Sequence, residues 1–205
     1  MKKRIIMEAV GAILIFIVGY FIGDATAINR VNKTINTKVS SQTSQKSTSQ
    51  DNTEPKEEQK QKMYKLGEEG TSGNWSIKVL EAQEASTIQS GDGSDNKTTQ
   101  QKFIIIKLQM TNISQAAVQY SDDEFALVNT KDKKQYEING DDSLTANQVE
   151  TIYRKNSNFF LGIDSLNPST PKQTYLVFEV PKNFDLQNAV LVHMSNSKAT
   201  GFHLK

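Results

Sequence analysis

The sequence predicts an all-β domain over residues 63–205, an antiparallel β-sandwich first and a barrel second. Three observations point there. Apolar and polar residues alternate with period two in run after run across the stretch. The runs are separated by loops rich in Gly, Asn, Asp and Ser. No window joins helical apolar spacing to helix caps.

Each element follows from its own alternation. Trp75, Ile77 and Val79 alternate with Ser76 and Lys78. In the run from Phe103 to Asn112, the even positions Ile104, Ile106, Leu108 and Met110 make one apolar face. The other face starts apolar at Phe103 and Ile105, then turns polar at Lys107, Gln109 and Thr111. Phe125 and Leu127 follow, then a turn-like stretch from Asn129 to Lys134, then Tyr136 and Ile138. Phe159 and Phe160 open a short run. Leu176, Phe178 and Val180 share a face that Pro181 ends. Val190, Val192 and Met194 come next, then Phe202 and Leu204. The expectation is eight or nine strands in about 143 residues, enough to bury a core unaided.

Ahead of this domain the composition changes twice. Residues 1–27 read as a signal anchor or a signal peptide. Lys2, Lys3 and Arg4 form a positive flank, and Ala9 to Gly23 is uncharged and apolar. Fifteen helical residues span about 22 Å, short of the roughly 30 Å hydrocarbon core. Starting at Ile5 lengthens the span to about 28 Å. It then includes Glu8, which lies at the end of the span and one turn from Arg4. An uncleaved anchor crossing with residues 5–23 is one reading, its basic end inside. Cleavage after Ala25-Thr26-Ala27 is the other. Both put the rest of the chain outside the cytoplasmic membrane, as a single-pass cell-membrane protein or a secreted one. Residues 28–62 are mostly Ser, Thr, Gln, Asn, Lys and Glu with no aromatic, and read as a disordered polar linker. As a coil its ends would average about 30–35 Å apart.

Composition excludes several function classes. Of 205 residues, 24 are Lys or Arg and 23 are Asp or Glu, a net charge of +1. That balance gives no electrostatic footprint for nucleic acid. The absence of cysteine removes disulfides, thiolate metal sites and a cysteine nucleophile. Two histidines, His193 and His203, leave little for histidine chemistry.

Some ordered features resemble a known family. Tyr64 to Gly67 leads into Gly73 to Val79; Phe103 to Ser114, Phe125 to Val128 and Tyr136 follow; Leu166-Asn167-Pro168 and Tyr175 to Pro181 close the series. That order is similar to the bacterial extracellular immunoglobulin-like domain-of-unknown-function family 4352. The resemblance covers roughly residues 63–205. It implies an immunoglobulin-like sandwich behind a membrane segment and a low-complexity tether. It implies no catalytic residues. One departure stands out: Ser169, Thr170 and Thr174 occupy a turn region where the family usually has glycines.

Each candidate for chemistry has a bland alternative. Asn112 is in phase with Ile104 to Met110, so its amide needs partners on a core face, and it reads as a pin for a neighbouring loop. Trp75, near Tyr64, could stack a sugar but reads as core. Asp122-Asp123-Glu124, Asp141-Asp142, and Asp92 with Asp95 read as solvated turns, because none has the spacing of a calcium loop. His193 and His203 could meet on adjacent strands, but no third ligand is evident. Gly91 and Gly93 lie in a hairpin-like loop and not before a helix, so they make no phosphate loop. No Gly-x-Ser-x-Gly is present. Asn32, Asn74, Asn96 and Asn112 fit the short Asn-x-Ser/Thr pattern. The expectation is therefore no catalytic, cofactor or metal site. The protein should be a non-catalytic cell-envelope binding module for an unknown protein or cell-wall ligand. An envelope hydrolase, or an inhibitor of one, is the alternative. Neither histidine should be needed for function, and the three acidic loops are the first places to look for a partner.

Overall fold

The computed structural model describes residues 62–205. The expected membrane segment and all of the polar linker but Lys62 lie outside the described residues. Within them no helix is long and apolar enough to cross a membrane.

Two sheets face each other. The first has the order β1 (Lys62–Tyr64), β11 (Lys198–His203), β10 (Ala189–Ser195), β6 (Phe125–Asn129), β7 (Gln135–Glu137). The second has the order β2 (Glu69–Ser72), β3 (Trp75–Ile88), β4 (Lys97–Asn112), β9 (Lys172–Val180). A two-stranded piece, β5 (Val118–Gln119) with β8 (Ser165–Leu166), sits apart. Pairings are antiparallel except β1 on β11, which is parallel. The core between the sheets takes Ile77, Ile104, Ile106, Leu108 and Met110 from one side and Leu127, Leu191 and Phe202 from the other. All eight are 0% exposed, and each full burial contributes roughly 1.5–3 kcal/mol. This is the expected β-sandwich.

Two expectations need correction. Phe159 and Phe160 do not open a strand; Phe159 makes only an isolated bridge with Gln173. The second correction is larger: residues Gly140–Gln148 form a helix, here α1, followed by a π turn over Val149–Tyr153. Hydrophobic spacing could not reveal α1, because its buried residues are Asp142, Ser143, Thr145, Ala146 and Asn147. Its cap was visible: Asn139 Oδ1 accepts from the Asp142 backbone N–H at 3.2 Å. Asp141 and Asp142 are thus the first turn of a helix, and Asp142 is buried, not a solvated turn.

The helix explains the apolar second face of β4. Phe103, Ile105 and Val177 form a smaller cluster with Ile88 and Ala146 of α1. It also covers a sheet edge. β9 has no strand on its outer side. Asn147 acts in place of one: its Oδ1 accepts from Tyr175 N–H at 2.7 Å and its Nδ2 donates to Tyr175 O at 2.9 Å. Ser143 Oγ accepts from Val177 N–H at 2.9 Å, and Asn139 N–H donates to Val177 O at 2.8 Å. Asn158 and Phe160 bond the Gln173 backbone in the same way. An edge strand that would otherwise offer free N–H and C=O groups is paired along most of its length.

Candidate functional site

Tyr120 follows β5, and its backbone N–H donates to Asp164 O at 3.2 Å. After it come Ser121, in extended conformation, and a single 3-10 turn over Asp122–Glu124. Opposite runs a tight turn from Leu161 to Asp164. Asp164 N–H closes it onto Leu161 O at 3.1 Å, and Asp164 Oδ2 accepts from Leu161 N–H at 2.8 Å. These segments, α1 and the start of β9 enclose a cavity of about 210 Å³. Its wall includes Tyr120, Asp122, Leu144, Gly162, Ile163 and Thr174.

Two features set this cavity apart. Tyr120 Oη and Thr174 Oγ1 are buried without a hydrogen-bond partner. Their residues are 3% and 1% exposed. A buried unpaired hydroxyl costs roughly 1–3 kcal/mol, so two beside one cavity need a reason. The second feature is charge. Among the lining residues Asp122 is the one carboxylate, and no Lys, Arg or His joins it. Burial, then the neighbouring Asp123 carboxylate, raises its pKa. The Tyr120 phenol is pushed well up, first by burial and then by Asp122 and Glu124. Its ring is held edge-on to Phe160 at 5.0 Å and tilted against Phe125 at 6.1 Å. A wider depression of about 380 Å³ lined by Gln101, Lys134, Tyr136, Glu179, Val180 and Pro181 has neither feature.

A second constellation joins both sheets. His193 on β10 is 0% exposed. Its Nδ1 lies 2.8 Å from Ser72 Oγ and its Nε2 lies 3.0 Å from Glu124 Oε2. A carboxylate only accepts, so Nε2–H donates to Glu124; in the neutral ring Nδ1 then accepts the Ser72 hydroxyl proton. Serine, histidine and carboxylate are the parts of a hydrolase, but this set is closed. Ser72 is 5% exposed, and neither it nor His193 lines either cavity. The next residue, Gly73, lies so close to Ser195 that an added Cβ would sit 2.8 Å from the Ser195 Cβ. A substrate carbonyl has no approach to Ser72 Oγ. The set ties β2 to β10 and to the start of β6.

The remaining candidates fall as follows. His193 and His203 do not meet: on the β10–β11 ladder His193 faces Thr200, and His203 faces Val190. Burial alone lowers the His203 pKa. Trp75 is core at 3% exposed. Asn112 is fully buried. Its Nδ2 donates to Ala116 O at 2.7 Å and Leu166 O at 2.8 Å, and its Oδ1 accepts from Ser114 N–H at 2.9 Å and Ser114 Oγ at 2.7 Å. Its amide therefore pins the loop after β4 to β8. Asp92 accepts from Ser94 N–H at 3.0 Å and from Ser94 Oγ at 2.7 Å, which lowers its pKa. Asp95 pairs with Lys97 at 2.8 Å. Charges at Asp142 and Asp141 add to the rise in the Lys97 pKa, so this loop and the start of α1 share one acidic end. Among the described residues no three His, Asp or Glu side chains converge to hold a metal ion.

Sequence reasoning missed Tyr120 and Gly162 and set Thr174 in a turn region, whereas Thr174 lies buried within β9. The signal for Thr174 was present: it is in phase with Leu176, Phe178 and Val180, a hydroxyl on a core face. Nothing local marked Gly162, which joins the wall only through the fold.

Comparison with known proteins adds family and fold. The profile of a domain of unknown function, DUF4352, matches residues 64–195. No curated protein matches the chain. Among solved structures, the yjhA protein from Bacillus subtilis is similar at 16% identity and TM-score 0.49, over 70% of this chain and 100% of that one. An uncharacterised β-sandwich protein from Clostridium difficile 630 is similar at 14% identity and TM-score 0.47, over 74% and 99%. The secreted protein MPT63 from Mycobacterium tuberculosis is similar at 10% identity and TM-score 0.45, over 70% and 97%.

Proposed function

We propose that this chain, which belongs to the DUF4352 family, is a non-catalytic binding module with an immunoglobulin-like arrangement of its two sheets. It works at the cell envelope, outside the cytoplasmic membrane, held there by residues 5–23 or released by cleavage after Ala27. One observation carries the binding reading: a cavity walled by two buried residues whose hydroxyls lack partners. The hydrolase alternative draws on Ser72, His193 and Glu124, and the burial of Ser72 and His193 argues against it.

Location and binding are tested separately. Protease added to intact, wall-stripped cells should remove residues 63–205; protection until the membrane is permeabilised would refute the outside location. For binding, Gly162→Leu fills the cavity from a wall position whose φ is not left-handed. Crosslinking on intact cells should capture a species with the native chain and lose it with Gly162→Leu. Equal capture by both proteins would refute the cavity as the binding site.

A further inference from the structure

We propose that the depression between β7 and the end of β9 receives the C-terminal end of an extended peptide. One peptide residue exchanges backbone hydrogen bonds with Glu179, and Lys134 holds the terminal carboxylate. This is a second site, apart from the cavity beside Asp122, and it stands or falls independently of that cavity.

The backbone comes first. Peptide groups on a strand alternate between its two sides. On β9, Gln173, Tyr175 and Val177 turn their N–H and C=O outward. All three are partnered: Gln173 by Asn158 and Phe160, Tyr175 by Asn147, and Val177 by Ser143 and Asn139. Glu179 is the next outward residue, opposite Phe103 on β4 as Val177 is opposite Ile105. It is exposed, and among the described residues nothing bonds its N–H or C=O. The chain that leads from β7 into α1 reaches β9 at Asn139 and makes no earlier backbone bond to it. The open position therefore lies at the depression, which Glu179, Val180 and Pro181 line from the β9 side and Lys134 and Tyr136 from the β7 side. A free N–H beside a free C=O on a strand edge is matched by the same pair on another extended chain.

Size and charge define which part of that chain. A volume of about 380 Å³ falls low in the roughly 300–1,000 Å³ range of small-ligand sites, so it suits a chain end better than a long segment. Tyr136, Val180 and Pro181 supply an apolar wall. Lys134 and Glu179 are the charged residues in the lining. The Glu179 carboxylate accepts from the Thr99 hydroxyl. Lys134 has no ion pair among the described residues, and its Nζ rests 5.5 Å from the centre of the Tyr136 ring. Asp132 accepts the Lys134 backbone N–H at 3.1 Å and does not line the depression. An unpaired ammonium beside an open peptide group matches a carboxylate joined to a peptide, the combination a C-terminus presents. Repulsion from the Glu179 carboxylate directs that end toward Lys134.

The full-length chain in detergent, labelled with ¹³C-methyl valine, tests this. Val180 lines the depression, while Val79 and Val192 are buried in the core and report on the fold. The probes are acetyl-alanyl-alanine, its C-terminal amide, and acetyl-lactoyl-lactate, in which esters replace both N–H groups and the carboxylate is kept. Acetyl-alanyl-alanine should move the Val180 signals and leave Val79 and Val192 in place. The amide and the ester acid should each do so about tenfold more weakly. Lys134→Gln, a change at an exposed side chain, should lower the response to the acid to that of the amide. If the amide matches the acid, or Lys134→Gln changes nothing, the carboxylate assignment is overturned. If the ester acid matches acetyl-alanyl-alanine, the backbone pairing is overturned. If no probe moves Val180 in a folded chain, the site itself falls, and the cavity beside Asp122 is untouched by that result.

Discussion

Asn112 and Thr174 are both polar residues on apolar faces, and their surroundings give them opposite consequences. The Asn112 amide has four contacts within hydrogen-bonding distance. Asn112→Ala takes the amide from the Leu166 carbonyl and the Ser114 N–H, while Ala116 O keeps the Ser114 hydroxyl. Chemical denaturation should show a loss of about 1–3 kcal/mol. Thr174 Oγ1 has no partner. Replacing it with a methyl of similar shape removes a desolvated hydroxyl, so Thr174→Val should raise stability by about 1 kcal/mol. A loss in that measurement would mean the hydroxyl is satisfied in solution. A hydroxyl kept at the expense of stability is what a binding site predicts. Asn112 was legible in the sequence because its phase with four apolar residues exposed the conflict. His193 was not legible, because its partners Ser72 and Glu124 lie 121 and 69 residues away. It also cannot serve as a simple test of function: His193→Ala would leave a void in the core and Ser72 unpaired.

Long strands were readable and short ones were not. β3, β4 and β9 run for 14, 16 and 9 residues, long enough to show alternation. β1, β5 and β8 have two or three residues and carry no period. Helix α1 escaped for another reason: it docks with Asn147 and Ser143, hydrogen-bonding groups that a hydrophobic pattern ignores. Yet Phe103 and Ile105, apolar on the far face of β4, already called for a cover. Turns show a similar limit. The two-residue loop between β10 and β11 holds Asn196 at φ 49 and Ser197 at φ 61. Asparagine tolerates that region, but serine does so at a cost, and glycine is the usual second residue. Ser197→Gly should raise stability by roughly 1 kcal/mol, seen as a higher denaturation midpoint. Ser169, ahead of β9, is likewise at φ 60, a left-handed position held without glycine.

For the whole molecule, the covered edge of β9 matters most. Sheets with open edges pair with copies of themselves. Asn147→Ala would free the Tyr175 N–H and C=O. It should lower stability by about 1–3 kcal/mol and produce concentration-dependent association in sedimentation velocity. A variant that stays monomeric with unchanged stability would show that the amide guards nothing. The parallel pairing of β1 with β11 has a mechanical consequence. Tension applied to the chain ahead of Lys62 enters the fold through three residues laid along the C-terminal strand, with Tyr64 stacked on Phe202 at 5.4 Å. Peeled from its end, β1 gives way one residue at a time, well before the fourteen-residue ladder of β3 bears load. Its release, with the turn to Glu68, would free seven residues, about 25 Å of chain when fully extended, while the other strands of both sheets stay paired. In a force-extension trace this should appear as a short, low-force step that precedes the main rupture and reseals when the pull relaxes.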